Sequence, residues 1–391
     1  TSGNTSYYYK KSYFVKNTAG TVEKKEESVR FNGANFATSS TTWGKNNKGE
    51  VYVKAGAARL TRVDDLTTTK KENPTGTATE VINPQWDNIN NPQFVNVHLG
   101  NNGRILMELP GALAITKNAT VVTGKNLKEN EIVKDKEFEF KITIPEMKNA
   151  TVKAQVKNQQ GDAVGEVKTL SLDDAGTITY SLKDDETLFI YGLDAGTAYT
   201  VTEVKGSMPQ GFTLTSVDGK ENETEATGNI VSGATQQHTF VNKYDVTEVV
   251  VNADDFAKYA KHFANWDVAD TFKITLSRYT SNDAPMPENS VDGKKTVEVT
   301  ENSTTGNFGN VTFTKPGAYG YTIFEERPET VIAGMTYSMA AYTVDVIVKD
   351  NGNGTLSAET KMTKISDDTG KAMAQNVDNK TAEFTNSFAA E

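Results

Sequence analysis

A lysine, an acid and an asparagine recur in the same order twice along this chain. The first set is Lys117 in Ala-Ile-Thr-Lys, Glu203 in Tyr-Thr-Val-Thr-Glu and Asn242 in Phe-Val-Asn. The second is Lys258, Glu325 in Tyr-Thr-Ile-Phe-Glu and Asn386 in Phe-Thr-Asn. These are the parts of a self-formed lysine–asparagine amide crosslink. Burial away from water pushes an amine's pKa down and a carboxyl group's up, so both can be held neutral. The neutral amine can then attack the asparagine side-chain carbonyl while the acid polarises that carbonyl and shuttles protons as ammonia leaves. Such a reaction happens once, inside one molecule, and positioning supplies most of its acceleration. The assignments are Lys117 and Lys258 as nucleophiles, Glu203 and Glu325 as proton shuttles, and Asn242 and Asn386 as electrophiles. Lysine and asparagine are 125 residues apart in the first set (242 − 117) and 128 in the second (386 − 258), which puts each pair on the first and last strands of a domain. In the second set Lys261 competes with Lys258 for the amine, with Lys258 preferred.

The elements that would position these residues are strands. Period-two alternation rich in Val, Ile, Thr, Tyr and Phe marks residues 136–144, 177–182, 198–204, 310–314, 319–324, 342–348 and 381–388. Turn signals separate them, such as Asp-Ala-Gly at 174–176 and Asp-Asn-Gly-Asn-Gly at 350–354. Residues 350–359 superficially suggest a calcium loop, but glycine at 352 and 354 interrupts the ligand positions, and a hairpin turn is expected. The one expected short helix covers residues 253–265, where an opening strand is also expected. The fold class is all-β, of the Ig-like sandwich type. Phe-Val-Asn96, Phe-Val-Asn242 and Phe-Thr-Asn386 are 146 and 144 residues apart (242 − 96, 386 − 242) and read as closing strands. Three tandem domains follow, at 1–105, 106–244 and 245–391, with short connections that favour a rod.

Composition narrows the function. With 391 residues there is chain enough for a core in each domain. The net charge of −10 repels nucleic acid and anionic membranes. No run approaches the ~18 apolar residues that span a bilayer, and no signal-like stretch opens the chain, so an exported protein would have lost its targeting and anchoring ends. Cysteine is absent, which excludes disulfides, thiolate metal sites and a cysteine nucleophile. Three histidines, His98, His238 and His262, fall one to each domain and form no shared cluster. No phosphate-loop, dinucleotide, nucleophile-elbow or His-X-X-X-His metal motif occurs. No cofactor and no metal are expected, and the only catalysis expected is the single-turnover crosslinking itself.

The middle domain resembles the CnaB-type domains of Gram-positive surface proteins. The resemblance rests on Leu-Ala-Ile-Thr-Lys117, Phe-Glu-Phe-Lys-Ile at 138–142, Gly-Leu-Asp-Ala-Gly-Thr-Ala-Tyr-Thr-Val-Thr-Glu203 and Phe-Val-Asn242-Lys. The last domain resembles the isopeptide-linkage domain of streptococcal backbone pilins. Its matching stretches are Ala-Pro-Met-Pro-Glu288, the run from Val311 to Glu325, the run 335–346, the turn 350–356 and Phe-Thr-Asn386-Ser. The resemblance implies Ig-like sandwiches, extracellular display on the cell wall, lysine–asparagine bonds, and sortase and neighbouring pilin subunits as partners. Two departures stand out: Asp254-Asp-Phe-Ala-Lys258 lacks the neat alternation of an opening strand, and no Leu-Pro-X-Thr-Gly sorting signal is present.

Counting 125 residues back from Asn96 falls before residue 1, so the first domain is truncated or a smaller variant. Lys10, Lys11 and Lys16 are its candidate lysines and Glu80 its candidate acid, although no bond is expected there. Phe-Val-Lys16-Asn weakly resembles the pilin motif whose lysine a sortase joins to the next subunit; an edge-strand lysine is the plainer reading. The alternative to a pilus backbone subunit or stalk is an adhesin. Its first domain, with Trp43, Trp86 and Tyr7–Tyr9, would bind a host matrix protein or glycan.

Overall fold

The computed structural model describes residues 111–231, 234–279 and 283–390 in full and, before them, the backbone of seven strands. Those seven are β1 (Tyr8–Lys16), β2 (Val22–Arg30), β3 (Trp43–Lys45), β4 (Val51–Val53), β5 (Glu80–Val81), β6 (Asn96–Leu99) and β7 (Ile105–Glu108), joined in one sheet. Lys16 and Glu80 are register partners where β1 meets β5, and Asn96 opens β6, which pairs with β7. Trp86 and Tyr7 lie outside the described residues.

Two compact units make up the chain. One comprises Thr1–Thr120, Val133–Pro209 and Thr213–Lys243; the other comprises Val121–Ile132, Gln210–Phe212 and Tyr244–Glu391.

The first unit continues with β8 (Gly111–Val121), β9 (Phe138–Thr143), β10 (Thr151–Lys157), β11 (Ala163–Ser171), β12 (Thr177–Leu182) and β13 (Glu186–Leu193). There follow β14 (Ala198–Glu203), β15 (Phe212–Val217), β16 (Lys220–Glu221), β17 (Glu225–Asn229) and β18 (Thr235–Tyr244). They form two sheets, ordered β11-β10-β13-β8-β18-β15-β16 and β12-β9-β14-β17. Alternation makes the sandwich: in β9, Phe138, Phe140 and Ile142 are wholly buried while the intervening residues are not. Phe140 of one sheet meets Phe240 of the other edge to face, their centroids 5.1 Å apart. The first and last strands are neighbours. Hydrogen bonds from Ala112 N to Ala234 O and from Val122 N to Tyr244 O keep a constant offset, so β8 and β18 run parallel.

The second unit contains β19 (Val249–Val251), β20 (Lys258–His262), β21 (Phe272–Arg278), β22 (Lys294–Val299), β23 (Thr305–Asn307), β24 (Val311–Phe313) and β25 (Gly317–Glu325). After these come β26 (Met335–Thr336), β27 (Ala341–Asp350), β28 (Leu356–Ser366), β29 (Ala372–Asn376), β30 (Thr381–Thr385) and β31 (Ser387–Phe388). The main sheet runs β22-β21-β25-β27-β28-β29, and a three-stranded sheet runs β23-β20-β30. Tyr342 of β27 and Phe384 of β30 pack across the two at 5.5 Å. Here too an early strand, β20, pairs in parallel with a late one, β30, Lys261 opposite Phe384. The helix expected at 253–265 is one turn, Ala253–Phe256, after which the chain turns extended into β20. Asp350–Leu356 closes the β27–β28 hairpin, the turn expected there.

Candidate crosslinking sites

In the first unit each candidate residue occupies a place where strand alternation calls for an apolar side chain. On β8, Leu113, Ile115, Lys117 and Ala119 point to one face and are buried; on β14 the set is Tyr199, Val201 and Glu203; on β18 it is Phe240, Asn242 and Tyr244. Three polar groups thereby meet in a dry core, with Lys117 and Asn242 wholly buried and Glu203 6% exposed. Lys117 and Asn242 come from adjacent parallel strands of one sheet, and Glu203 reaches them from the facing sheet.

The contacts are close. Lys117 Nζ donates to Glu203 Oε2 at 3.1 Å and to Asn242 Oδ1 at 2.5 Å. Asn242 Nδ2 donates to Glu203 Oε1. The ammonium also sits 4.4 Å from the centre of the Phe138 ring. Desolvation lowers the Lys117 pKa to about 8, against the opposing pull of the Glu203 charge. Removing water therefore outweighs the ion pair, and a neutral amine comes within reach at ordinary pH.

The second unit repeats the arrangement with one correction. The lysine beside Glu325 is Lys261, not Lys258. Lys261 shares a strand face with Tyr259 and is 3% exposed; Lys258 lies three residues earlier, hence on the opposite face, and is only half-buried. Lys258 instead lines an open surface groove with Asp254, Asp255 and Lys380. Lys261 Nζ pairs with Glu325 Oε2, and Asn386 Nδ2 donates to Glu325 Oε1 at 2.6 Å. The separation from Lys261 to Asn386 is 125 residues (386 − 261), the same as from Lys117 to Asn242. Phe272 takes the part of Phe138, its ring centre 4.2 Å from Lys261 Nζ. Burial lowers the Lys261 pKa against the Glu325 charge, and burial raises that of Glu325 against the Lys261 charge. Amine and acid are both pushed toward their neutral forms.

In both units the carboxylate meets the amide nitrogen of the asparagine rather than its carbonyl oxygen. The oxygen has other partners: Lys117 Nζ at Asn242, and the backbone N–H of Ser338 at Asn386, 2.7 Å away. Sequence reasoning missed Ser338. The histidines stand apart from both sites. His238 is held between Tyr199 (2.6 Å) and Asp218 (2.7 Å), and exposed His262 faces Glu383 at 3.3 Å. Among the described residues no cluster of three His, Cys, Asp or Glu side chains could hold a metal, and no helix is long and apolar enough to cross a membrane.

Residues 256–389 match the Spy0128-like isopeptide containing domain, and residues 111–244 match a domain of unknown function, DUF7601. No curated protein matches the chain. Among solved structures, the pilus-presented adhesin Spy0125 (Cpa) is similar at 19% identity and a TM-score of 0.25, over 40% of this chain and 38% of its own length. The C-terminal fragment of the pilus adhesin SpaC from Lactobacillus rhamnosus GG is 13% identical with a TM-score of 0.22, over 71% of this chain and 98% of the fragment. The shaft pilin SpaA of the same organism is 12% identical with a TM-score of 0.16, over 72% of this chain and 99% of its own. Residues 256–389 are thus similar to an isopeptide-containing domain, the kind that the sequence of this part of the chain resembles.

Proposed function

We propose that this protein is a structural subunit of a Gram-positive surface pilus, strengthened by two amide bonds that it forms in itself, Lys117–Asn242 and Lys261–Asn386. One observation carries the reading: in each of two sandwiches a buried glutamate is hydrogen-bonded to both a buried lysine and a buried asparagine, and the lysine's strand pairs in parallel with the strand that bears the asparagine or ends just before it. In the reaction, lysine passes a proton to glutamate and the free amine attacks the asparagine Cγ. The glutamate takes the proton released from the attacking nitrogen and delivers one to Nδ2, with which it is hydrogen-bonded. Ammonia leaves, the amide remains, and the glutamate keeps the proton that the lysine first passed to it.

The product also answers the electrostatics. A buried ammonium is costly even when paired; an amide removes that charge from the core for good. Closing a loop of 125 residues removes denatured-state freedom of about 5 kcal/mol by analogy with disulfides, and an amide cannot be reduced. Tension applied to the ends of a unit would pass from first strand to last through one covalent bond, without peeling the sheet.

The proposal includes the division into domains at 1–105, 106–244 and 245–391, extracellular cell-wall display, and sortase and neighbouring pilin subunits as partners, with Lys16 as the weakest element. Intact-mass measurement tests the core of it. The denatured protein should weigh about 34 Da less than its sequence, one ammonia for each bond. A mass equal to that of the sequence refutes the crosslinks. Incubation with sortase then separates a shaft subunit, which polymerises, from an adhesin, which binds host matrix without doing so.

A further inference from the structure

The two sites differ in what holds the carbonyl oxygen that is attacked. At Asn242 the oxygen is met by the nucleophile itself, Lys117 Nζ. At Asn386 it accepts the buried backbone N–H of Ser338 at 2.7 Å, while Glu325 holds the amide nitrogen at 2.6 Å. The second carboxamide is gripped at both ends, and Lys261 is held by the same Glu325.

A single side chain keeps that N–H in place. Ser338 Oγ donates to Asp368 Oδ1, and the same oxygen accepts Thr385 N at 2.9 Å. Thr385 is the residue before Asn386, so one carboxylate ties together the strand end bearing the electrophile and the segment bearing the donor. The Asp368 carbonyl adds a bond from Met339 N at 3.0 Å, and Ser338 Oγ accepts Ala340 N at 3.2 Å. Beyond the asparagine, Asn386 N donates to His262 O at 3.0 Å, anchoring it beside the strand of the lysine.

We propose that the Ser338 backbone N–H is an oxyanion donor for formation of the Lys261–Asn386 bond, and that Asp368 is the positioning residue that aims it. This rests on the crosslink reading above. When Lys261 Nζ bonds to Asn386 Cγ, the carbonyl π electrons move onto Oδ1, and the negative charge gathers where the Ser338 N–H already points. Collapse restores the C=O as the C–Nδ2 bond breaks, and the nitrogen leaves as ammonia with the proton that Glu325 delivers. A donor already aimed at the developing charge needs no reorganisation during reaction, the condition under which such groups act most strongly.

The first unit supplies an internal control. Full-length chain made by cell-free translation is sampled over time, and peptide mapping follows both branched peptides in the same molecules. Asp368→Ala and Ser338→Ala should slow the Lys261–Asn386 bond by at least about tenfold and leave Lys117–Asn242 at its wild-type rate. The effect falls short of the roughly 10²–10³ for outright loss of an oxyanion donor, because the N–H stays in the chain. Asp368→Asn keeps the accepting oxygen and should recover most of the rate. Unchanged kinetics in both alanine variants would overturn the assignment while leaving the crosslinks standing. Equal slowing of both bonds would mark a general folding defect and overturn it too. Absence of the second bond from wild-type protein would instead remove the reading on which the inference rests.

Discussion

Lys117→Met gives the sharpest test of what the first bond contributes. Methionine keeps an unbranched side chain of similar length in a site with no exposure, beside Phe138, and removes only the amine and the bond it makes. The loop released is 125 residues, worth about 5 kcal/mol of denatured-state entropy. Glu203 loses the lysine nitrogen as a donor and keeps Asn242; leaving a buried acceptor short costs about 1–3 kcal/mol, which methionine's apolar contacts offset in large part. A unit spanning residues 111–244 unfolds with an entropy near 0.28 kcal/mol/K, so the loss of about 5 kcal/mol lowers its Tm by roughly 15–20 °C. Scanning calorimetry of the full-length protein reads this as a downward shift of one transition, with the other left in place. Adding Asn242→Ala to Lys117→Met should cost only about the 1–3 kcal/mol of the hydrogen bond that Glu203 then loses, because the crosslink is already gone. If the wild type carries the bond by mass and Lys117→Met melts within about 3 °C of it, the loop-entropy argument is refuted.

Glu203→Ala should restore about 17 Da, half the mass deficit, and Glu325→Ala the other half; full deficits in both variants would remove the glutamates from the chemistry. Lys261→Ala should abolish the second bond and Lys258→Ala should leave it complete, as read from the Asn386 branched peptide. The relay needs one proton shared between Lys117 and Glu203, and with the lysine at about 8 that proton is lost above this pH. Formation of the first bond should hold steady up to about pH 8 and then slow roughly tenfold per pH unit; a rate still rising at pH 9 would show that the neutral amine suffices alone. In Asn242→Ala, which cannot form the bond, the unfolded Lys117 titrates at 10.5 and the folded one at about 8. Between those values the unfolded chain holds the extra proton, so urea stability should rise with pH across that window relative to Lys117→Met/Asn242→Ala.

The sandwich class and most strands were legible because one-sided burial writes itself as alternation. Residues 177–182 were read as a strand from sequence, and that strand is β12, Thr177–Leu182. The first site was legible for the same reason: Lys117, Glu203 and Asn242 interrupt apolar registers of clean strands, where a polar residue needs a partner. The second lysine was misread where alternation fails. β20 is five residues long after a single helical turn, and Tyr259, Ala260 and Lys261 are buried in succession, so neither face announces itself. Two signals already in the chain would have settled it: Lys261, unlike Lys258, shares parity with Tyr259, and only Lys261 lies 125 residues from Asn386, the spacing of the first pair.

Ser338 and Asp368 left no such trace, for a physical reason. An N–H donor belongs to the backbone, so any residue type supplies it, and the serine is needed only to fix the geometry. Asp368 acts from the turn between β28 and β29, where an aspartate ordinarily caps its own loop, as Asp367 does there toward Thr369 N and Lys371 N, each at 2.9 Å. Two neighbouring aspartates of one type thus do different work, one folding the turn and one reaching across to the strand that carries the electrophile. Side-chain chemistry on strands is visible in sequence because it breaks a pattern. Backbone chemistry supported from a loop breaks none, and only the fold brings it into view.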